Sequence, residues 1–259
     1  MKNNQEYLLS SVKNALRLLR TFTMDEPEKK VTELAVSLGL GKSTVSRLLA
    51  TLASEGFVIK DPETQKYRLG LSILHLNTVL TSNLEINRES DPILQRLVQE
   101  IGETAHIAVL EGMDVVYLNQ VECKHPVKIL SHIGRRNPAH CTSSGKVLLA
   151  NSEEKVIDQY IEKGLQKYTA HTITSSDDFR AALKSVKEQE YAISIEEILE
   201  GVASIAAPIR DYTGKVVYAI TVIGPVHRMN PHNISIINKV KNAAKEISDR
   251  LGYWKNGSI

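Results

Sequence analysis

Two short runs of side chains in this sequence are equipped for recognition chemistry. The first is Lys42-Ser43-Thr44-Val45-Ser46-Arg47. Hydroxyls and one guanidinium at that density suit hydrogen bonds to base edges and phosphate oxygens. Lys42 adds a cation at the start of the run, where helix amides also attract a phosphate. The second is Ser143-Ser144-Gly145-Lys146, directly ahead of the apolar run Val147-Leu148-Leu149-Ala150. Hydroxyls and backbone N–H groups converging on a helix N-terminus suit a carboxylate or another small anion. Serines in that position also serve simply as helix caps.

Catalytic readings are weaker. Gly145-Lys146 is followed by Val147, so the hydroxyl residue of a phosphate-binding P-loop is missing. Cys141 lies beside His140, with Cys123, His125 and His132 upstream. Adjacent residues of a strand point to opposite faces, and the spacing matches no standard zinc pattern. Cys141 therefore reads as a small buried hydrophobe. Glu196, Glu197 and Glu200 read as solvated loop carboxylates, and Arg135 and Arg136 as solvated cations. No catalytic set, cofactor or metal is expected.

The elements that must position these runs follow from periodicity. Val12, Ala15, Leu16, Leu19 and Phe22 keep helical spacing. Leu34, Ala35 and Leu38 mark a short second helix, and Gly39-Leu40-Gly41 a tight turn. Val45, Leu48, Leu49 and Leu52 then form one face of a third helix, which Gly56 closes. Its outer face carries Ser43, Arg47, Ala50 and Ser54, flanked by Thr44 and Ser46. Strands over 57–60 and 66–69 enclose Asp61-Pro62-Glu63-Thr64, good turn chemistry. In that hairpin Lys66 and Arg68 share one face, placed for a phosphate backbone. Helix, turn, helix and hairpin in this order is the layout of a winged helix-turn-helix, whose second helix enters the major groove. An ordinary helical corner with a polar outside shares the pattern except for the basic hairpin.

Leu71 to Leu84 reads as a connecting helix, and Asn83 to Pro92 as a linker or helix start. Beyond it helices over 93–101, 143–150, 153–163 and 177–190 alternate with hairpins over 105–121 and 203–223 and a strand over 127–133. Asn230-Pro231 starts a last helix running to about Leu251.

Composition sets outer bounds. The chain has 259 residues, 42% hydrophobic, enough for a real core in one large or two smaller domains. Its apolar runs are short and broken by charge, so no membrane-spanning helix is expected, and Met1 to Glu6 lacks an export signal. Two cysteines are too few for a disulfide framework. A cytoplasmic location is the expectation. Residues 1–75 hold eleven basic and eight acidic side chains against 21 and 22 in the remainder, a mild basic excess on the N-terminal third.

Three blocks in fixed order carry a more specific signal. Val31-Thr32-Glu33-Leu34-Ala35 with Gly39 to Leu49, Leu52, Gly56-Phe57 and Tyr67-Arg68-Leu69-Gly70 resembles the N-terminal part of the IclR family of bacterial transcriptional regulators. Gly134 to Ala150 resembles that family's second block. Glu200-Gly201, Ser204 to Ile209, Gly214 and Gly224-Pro225 resemble its third. Departures from the family pattern are Lys29-Lys30 where a Ser or Thr often caps the first helix of the pair, and Gly41 where proline is common.

The resemblance implies an α+β chain: a winged helix-turn-helix over 1–70, a linker helix over 71–90, and a GAF-like α/β effector-binding domain over 91–259. It implies a ligand-responsive regulator, a repressor, that binds a near-palindromic double-stranded operator as a dimer or tetramer. Lys42, Ser43, Thr44, Ser46, Arg47, Lys66 and Arg68 are the expected DNA contacts. Carried over by position, Ser143, Ser144, Ser194, Ser204, Thr221 and Asn137 line the effector pocket, with Ile223 at its margin. The expected effector is a small organic acid. Ser204 stands where several family members have cysteine and Ser194 where they have an acidic residue, so this pocket is rich in hydroxyls. The competing reading is a small-molecule enzyme or sensor that keeps its helical N-terminus for assembly. DNA binding unchanged by Arg47→Ala, or turnover abolished by Ser143→Ala, would favour it.

Overall fold

The computed structural model describes residues 8–82, 84–125 and 132–253, and the chain divides into two units between Asn83 and Leu84. The first unit holds α1 (Ser10–Leu19), α2 (Val31–Leu38), α3 (Lys42–Ser54), strands β1 (Val58–Lys60) and β2 (Tyr67–Leu69), and α4 (Ser72–Ser82). Its core is Leu18, Phe22, Leu34, Ala35, Leu38, Val45, Leu49 and Val58. On α1 the buried residue is Leu18, while Val12 and Leu16 are more than half exposed. The spacing in α1 thus identifies the helix but not the side that packs. The missing hydroxyl cap of α2 is offset from the other direction: the Glu33 carboxylate accepts the Lys30 N–H at 2.7 Å. This is half of a capping box. Gly39 closes α2 at φ 66°, the left-handed conformation that glycine adopts without strain.

The second unit holds α5 (Glu85–Ile101), β3 (Thr104–Glu111), β4 (Asp114–Val121), β5 (Arg136–Pro138), a 3₁₀ turn (Ala139–Cys141), α6 (Ser143–Ala150), α7 (Glu154–Glu162), α8 (Ser176–Gln189), β6 (Ala192–Ile195), β7 (Val202–Arg210), β8 (Val216–Pro225) and α9 (Ile234–Arg250). The strands form one sheet in the order β5-β4-β3-β8-β7-β6, each neighbour antiparallel. Helices cover both faces. One face packs Ala203, Ile205, Ala207 and Ile209 of β7 with the buried sides of α5 and α9. The other sets Ala206 of β7 with buried residues of α6, α7 and α8.

Two boundaries differ from the sequence reading. Residues 85–90, expected in the linker, belong to α5 in the second unit, where Ile86 and Ser90 are buried. Pro92 lies inside that helix at a cost of about 3 kcal/mol, offset by burial of Ile86, Ile93, Leu94 and Leu97 on one side. The last helix starts after Asn233, whose side chain accepts the Ser235 N–H, rather than at Asn230-Pro231. Asn230 instead holds a turn, its Oδ1 accepting the His232 N–H. Strands β5 and β6 are additions, too short for period-two alternation to reveal. The strand expected over 127–133 falls mostly outside the described residues; Ile133 and Gly134 form a turn.

Candidate functional site

Helix α3 buries Val45 and Leu49 and turns Lys42, Ser43, Thr44, Ser46, Arg47 and Ala50 outward. Thr51 and Ser54 spend their hydroxyls on their own helix, on the carbonyls of Arg47 and Thr51. The side chains of Lys42, Ser43, Thr44, Ser46 and Arg47 make no hydrogen bond or ion pair among the described residues. Polar groups in that state are fully hydrated and available. The first amides of α3 lack intrahelical partners too, since only from Val45 does the ladder begin, onto Gly41 O.

The hairpin is set by Asp61, whose Oδ1 accepts from the N–H groups of Glu63 and Thr64 and from the Thr64 hydroxyl. Those bonds, Thr64 first, hold its carboxyl below the usual carboxylate range. Arg68 stands on β2, while Lys66, expected on the same strand, lies just ahead of it, since β2 begins at Tyr67. They share a surface recess with Asp25, Glu26, Glu28 and Glu33, acids the sequence reading left out of account. Among the described residues the ion pair within this group is Lys29 with Glu26.

In the second unit, strand register brings distant residues together. Ser194 of β6 lies opposite Ser204 of β7, and Ser204 opposite Ile223 of β8. One step along, Thr221 of β8 lies opposite His106 of β3. Period-two alternation turns all of them away from the α5–α9 core and toward the start of α6. The resulting pocket is lined by Ser143, Ser144, Ser194, Ser204, Thr221, Asn137 and Ile223, together with His106, Tyr117, Cys141, Thr142, Ile198, Leu199 and Val202. Its free volume is about 20 Å³, room for roughly one water.

The helix cap is Thr142, whose hydroxyl accepts the Gly145 N–H at 3.2 Å. The two serines are therefore released from capping. Ser143 Oγ donates to Ser204 Oγ at 2.7 Å, and Ser194 Oγ donates to the Cys141 carbonyl at 3.1 Å. Asn137 Nδ2 donates to Tyr117 Oη at 3.3 Å. Thr221 Oγ1, on a residue buried to 3% exposure, has no hydrogen-bond partner among the described residues. Gly145 is required by proximity: a Cβ there would overlap the carbonyl oxygen of Ala139 in the 3₁₀ turn.

Charge is kept out of the pocket. No lysine or arginine among the described residues lines it. Arg136 is exposed and paired with Glu111 and Asp114, and Arg135 reaches only the Asn137 Oδ1 at 3.4 Å. Burial pushes the Tyr117 phenol up and the Cys141 thiol up to about 12, so both stay neutral, and it lowers His140. A protonated, buried thiol is a poor nucleophile. Among the described residues no three His, Cys, Asp or Glu side chains converge as a metal site would need.

Glu197 departs from its expected place in solvent. It is 7% exposed and pairs at 2.5 Å with Lys146 of α6, itself 4% exposed. Glu196 turns back on its own loop and accepts the Gly201 N–H. His106 and Tyr117, whose rings lie 5.0 Å apart, are pocket residues that sequence reasoning missed. The alternation of β3 with Ala105 and Ile107 in the opposite core was the available signal for His106.

Comparisons with known proteins agree with this two-part construction. Residues 11–62 match the IclR helix-turn-helix domain, and residues 78–249 match the bacterial transcriptional regulator IclR C-terminal domain. The HTH-type transcriptional regulator XynR of Escherichia coli (strain K12) is 31% identical over 249 residues, spanning 95% of this chain and 98% of that protein. The HTH-type transcriptional repressor AllR of Salmonella typhimurium (strain LT2) is 30% identical over 244 residues, spanning 93% and 90%. Among solved structures, an IclR homolog from Microbacterium hydrocarbonoxydans complexed with 4-hydroxybenzoate superimposes with a TM-score of 0.83 at 25% identity, covering 93% of this chain and 99% of that one. The chain belongs to the IclR family of bacterial transcriptional regulators.

Proposed function

We propose that this regulator is a repressor whose operator affinity is set by a small hydroxylated carboxylate held at the N-terminus of α6. The observation that carries the reading is the pocket itself. It is buried, no lysine or arginine among the described residues lines it, it carries five Ser and Thr hydroxyls from α6 and the sheet, and that of Thr221 makes no hydrogen bond among the described residues. A carboxylate there would be held by the first-turn amides of α6 and the Ser143 and Ser144 hydroxyls. Further hydroxyls on the ligand would meet Ser194, Ser204, Thr221 and Asn137. Each would replace a bond the protein now makes with itself, or satisfy one it does not make.

On DNA, Arg47 with Ser43, Thr44 and Ser46 would read bases in the major groove, and Lys42, Lys66 and Arg68 would sit on phosphates. Two such helices must act together on a near-palindrome, their half-sites about one helical turn, ~34 Å, apart. Self-association has a suitable surface in the same unit. Leu8, Leu9, Val12 and Leu16 around α1, and Leu71, Leu74, Leu76 and Leu80 along α4, are all at least half exposed. Apolar side chains so grouped mark a protein contact. A ligand that favours one arrangement of the dimer would change the fit to the half-sites by its differential affinity for the two states.

The test is selection of fragmented genomic DNA on the purified chain at about 150 mM salt, where weak unspecific binding is suppressed. Recovered fragments should share a near-palindrome, and a hydroxylated carboxylate from a panel of small acids should release them. Retention that no acid of the panel alters would overturn the ligand class, and random fragments would overturn the contact assignment.

A further inference from the structure

The pocket is closed as it stands, with room for about one water. A ligand of several carbon atoms needs a wall to move. Among the described walls, α6, β3, β7 and β8 belong to the buried core. The wall at the surface is the turn from Glu196 to Gly201, which joins β6 to β7 and lays Ile198 and Leu199 on the pocket.

That turn has the parts of a lid. Its two ends, Glu196 at φ 57° and Gly201 at φ 77°, are left-handed, and the Glu196 conformation is one that a non-glycine residue rarely holds. The ladder closes at its base through Glu196 N to Val202 O at 2.8 Å. Ties reach it from an irregular segment: Thr169 Oγ1 donates to Glu196 O at 2.6 Å, Thr172 Oγ1 donates to Glu197 O at 2.7 Å, and His171 Nε2 stands 3.6 Å from Glu196 Oε2. One tie reaches it from the core. Lys146 Nζ donates to Glu197 Oε1 at 2.5 Å and to Ile193 O of β6 at 2.6 Å. Lys146 is one residue from Gly145 and two from Ser144, so the same short helix holds both the pocket serines and the lid.

We propose that residues 196–201 are the lid of the pocket and that Lys146 is its latch, a positioning residue that holds the lid shut without touching the ligand. The inference rests on the reading that this pocket takes the effector. The two partners of the ion pair are not equivalent. Lys146 is fixed in a buried helix, whereas Glu197 can reach water if the turn swings out. Its second oxygen, Oε2, is buried without a partner among the described residues, so the closed state carries an unsatisfied acceptor there. Removing Lys146 leaves a buried carboxylate with no counter-ion, and opening the lid relieves it.

Cys141 gives a readout that needs no ligand. It is fully buried and lines the pocket, while Cys123, also buried, lies in the core on the opposite face of the sheet. The full-length chain is treated with iodoacetamide at neutral pH, and the rate at each cysteine is read by peptide mass mapping. Lys146→Met should speed alkylation of Cys141 by about tenfold or more, with Cys123 unchanged. The double variant Lys146→Met with Glu197→Gln should return toward the wild-type rate, because the buried charge is gone. Glu197→Gln alone should open the lid less than Lys146→Met, and it serves if that variant does not fold. An unchanged Cys141 rate in both single variants overturns the latch. So does a parallel rise at Cys123, or a double variant as open as Lys146→Met. Protection of Cys141 by small hydroxy acids is a separate measurement, and its failure would count against the ligand reading while leaving the lid standing.

Discussion

The outer face of α3 and the pocket at the start of α6 are built from the same residue types and put them to opposite use. On α3, Ser43, Thr44 and Ser46 are exposed, and their hydroxyls pair with nothing among the described residues. Around α6, Ser143, Ser194 and Ser204 are buried and pair with one another or with backbone. The exposed set needs no preorganised shell, because water satisfies it until a partner arrives. Its affinity then depends on charge and salt. The buried set has already given up water, so a ligand binds there only by matching bonds that exist. The first surface suits a long, variable polyanion; the second suits one small molecule.

Gly145→Ala separates the two most sharply. A methyl group there meets the Ala139 carbonyl, which is backbone and has no rotamer to change. Overpacking at such a site costs about 3 kcal/mol. Peptide-resolved hydrogen exchange reads both units at once: protection should fall in α6 and β7 while α2 and α3 keep theirs. Equal loss in both would mean that the two units share one stability. Arg47→Ala is the mirror image. It should weaken operator binding by about 2 kcal/mol, roughly thirtyfold, at fixed salt, without changing hydrogen exchange in the second unit. Fluorescence anisotropy on the selected fragment measures it, and an unchanged dissociation constant removes Arg47 from the groove.

The difference also explains what was legible beforehand. The α3 face could be read from spacing alone, because Val45, Leu48, Leu49 and Leu52 fix one side of a single helix and the proposed contacts lie on the other. Pocket residues come from α6 and all six strands of the sheet, so spacing within one element could not assemble them. Ser194, Ser204 and Thr221 entered only through family resemblance, and the β6–β7–β8 register supplies the physical reason. Glu197 was visible but assigned to solvent, since charged residues in a loop are usually hydrated, and Lys146 was read only as part of the run that opens α6. Their burial depends on a pairing fifty-one positions apart, which no local pattern carries. The acids beside Lys66 and Arg68 escaped for the same reason: Asp25, Glu26 and Glu28 belong to a different loop.

Thr221→Val tests whether the buried set is poised for a ligand. The wild-type hydroxyl lacks a partner, so removing it should stabilise the unliganded second unit by about 1 kcal/mol, read from urea unfolding. The same change should weaken release of DNA by the hydroxy acid. Lower stability in the variant would mean that the hydroxyl is satisfied and that the pocket holds no reserved position.

The smallest effects concern charge on the first unit. If Lys42 sits on a phosphate, Lys42→Gln should flatten the plot of log affinity against log salt by about 0.9, with little change in sequence preference. Lys66→Gln should flatten it less. Lys66 shares its recess with Asp25, Glu26, Glu28 and Glu33, so part of its charge is already screened before DNA arrives. Equal slopes for the two variants would mean that the acidic loop leaves the hairpin on binding. In that case the loop would compete with the phosphate backbone for the same cations, and Glu28→Gln should raise affinity at low salt and lose that advantage as salt rises.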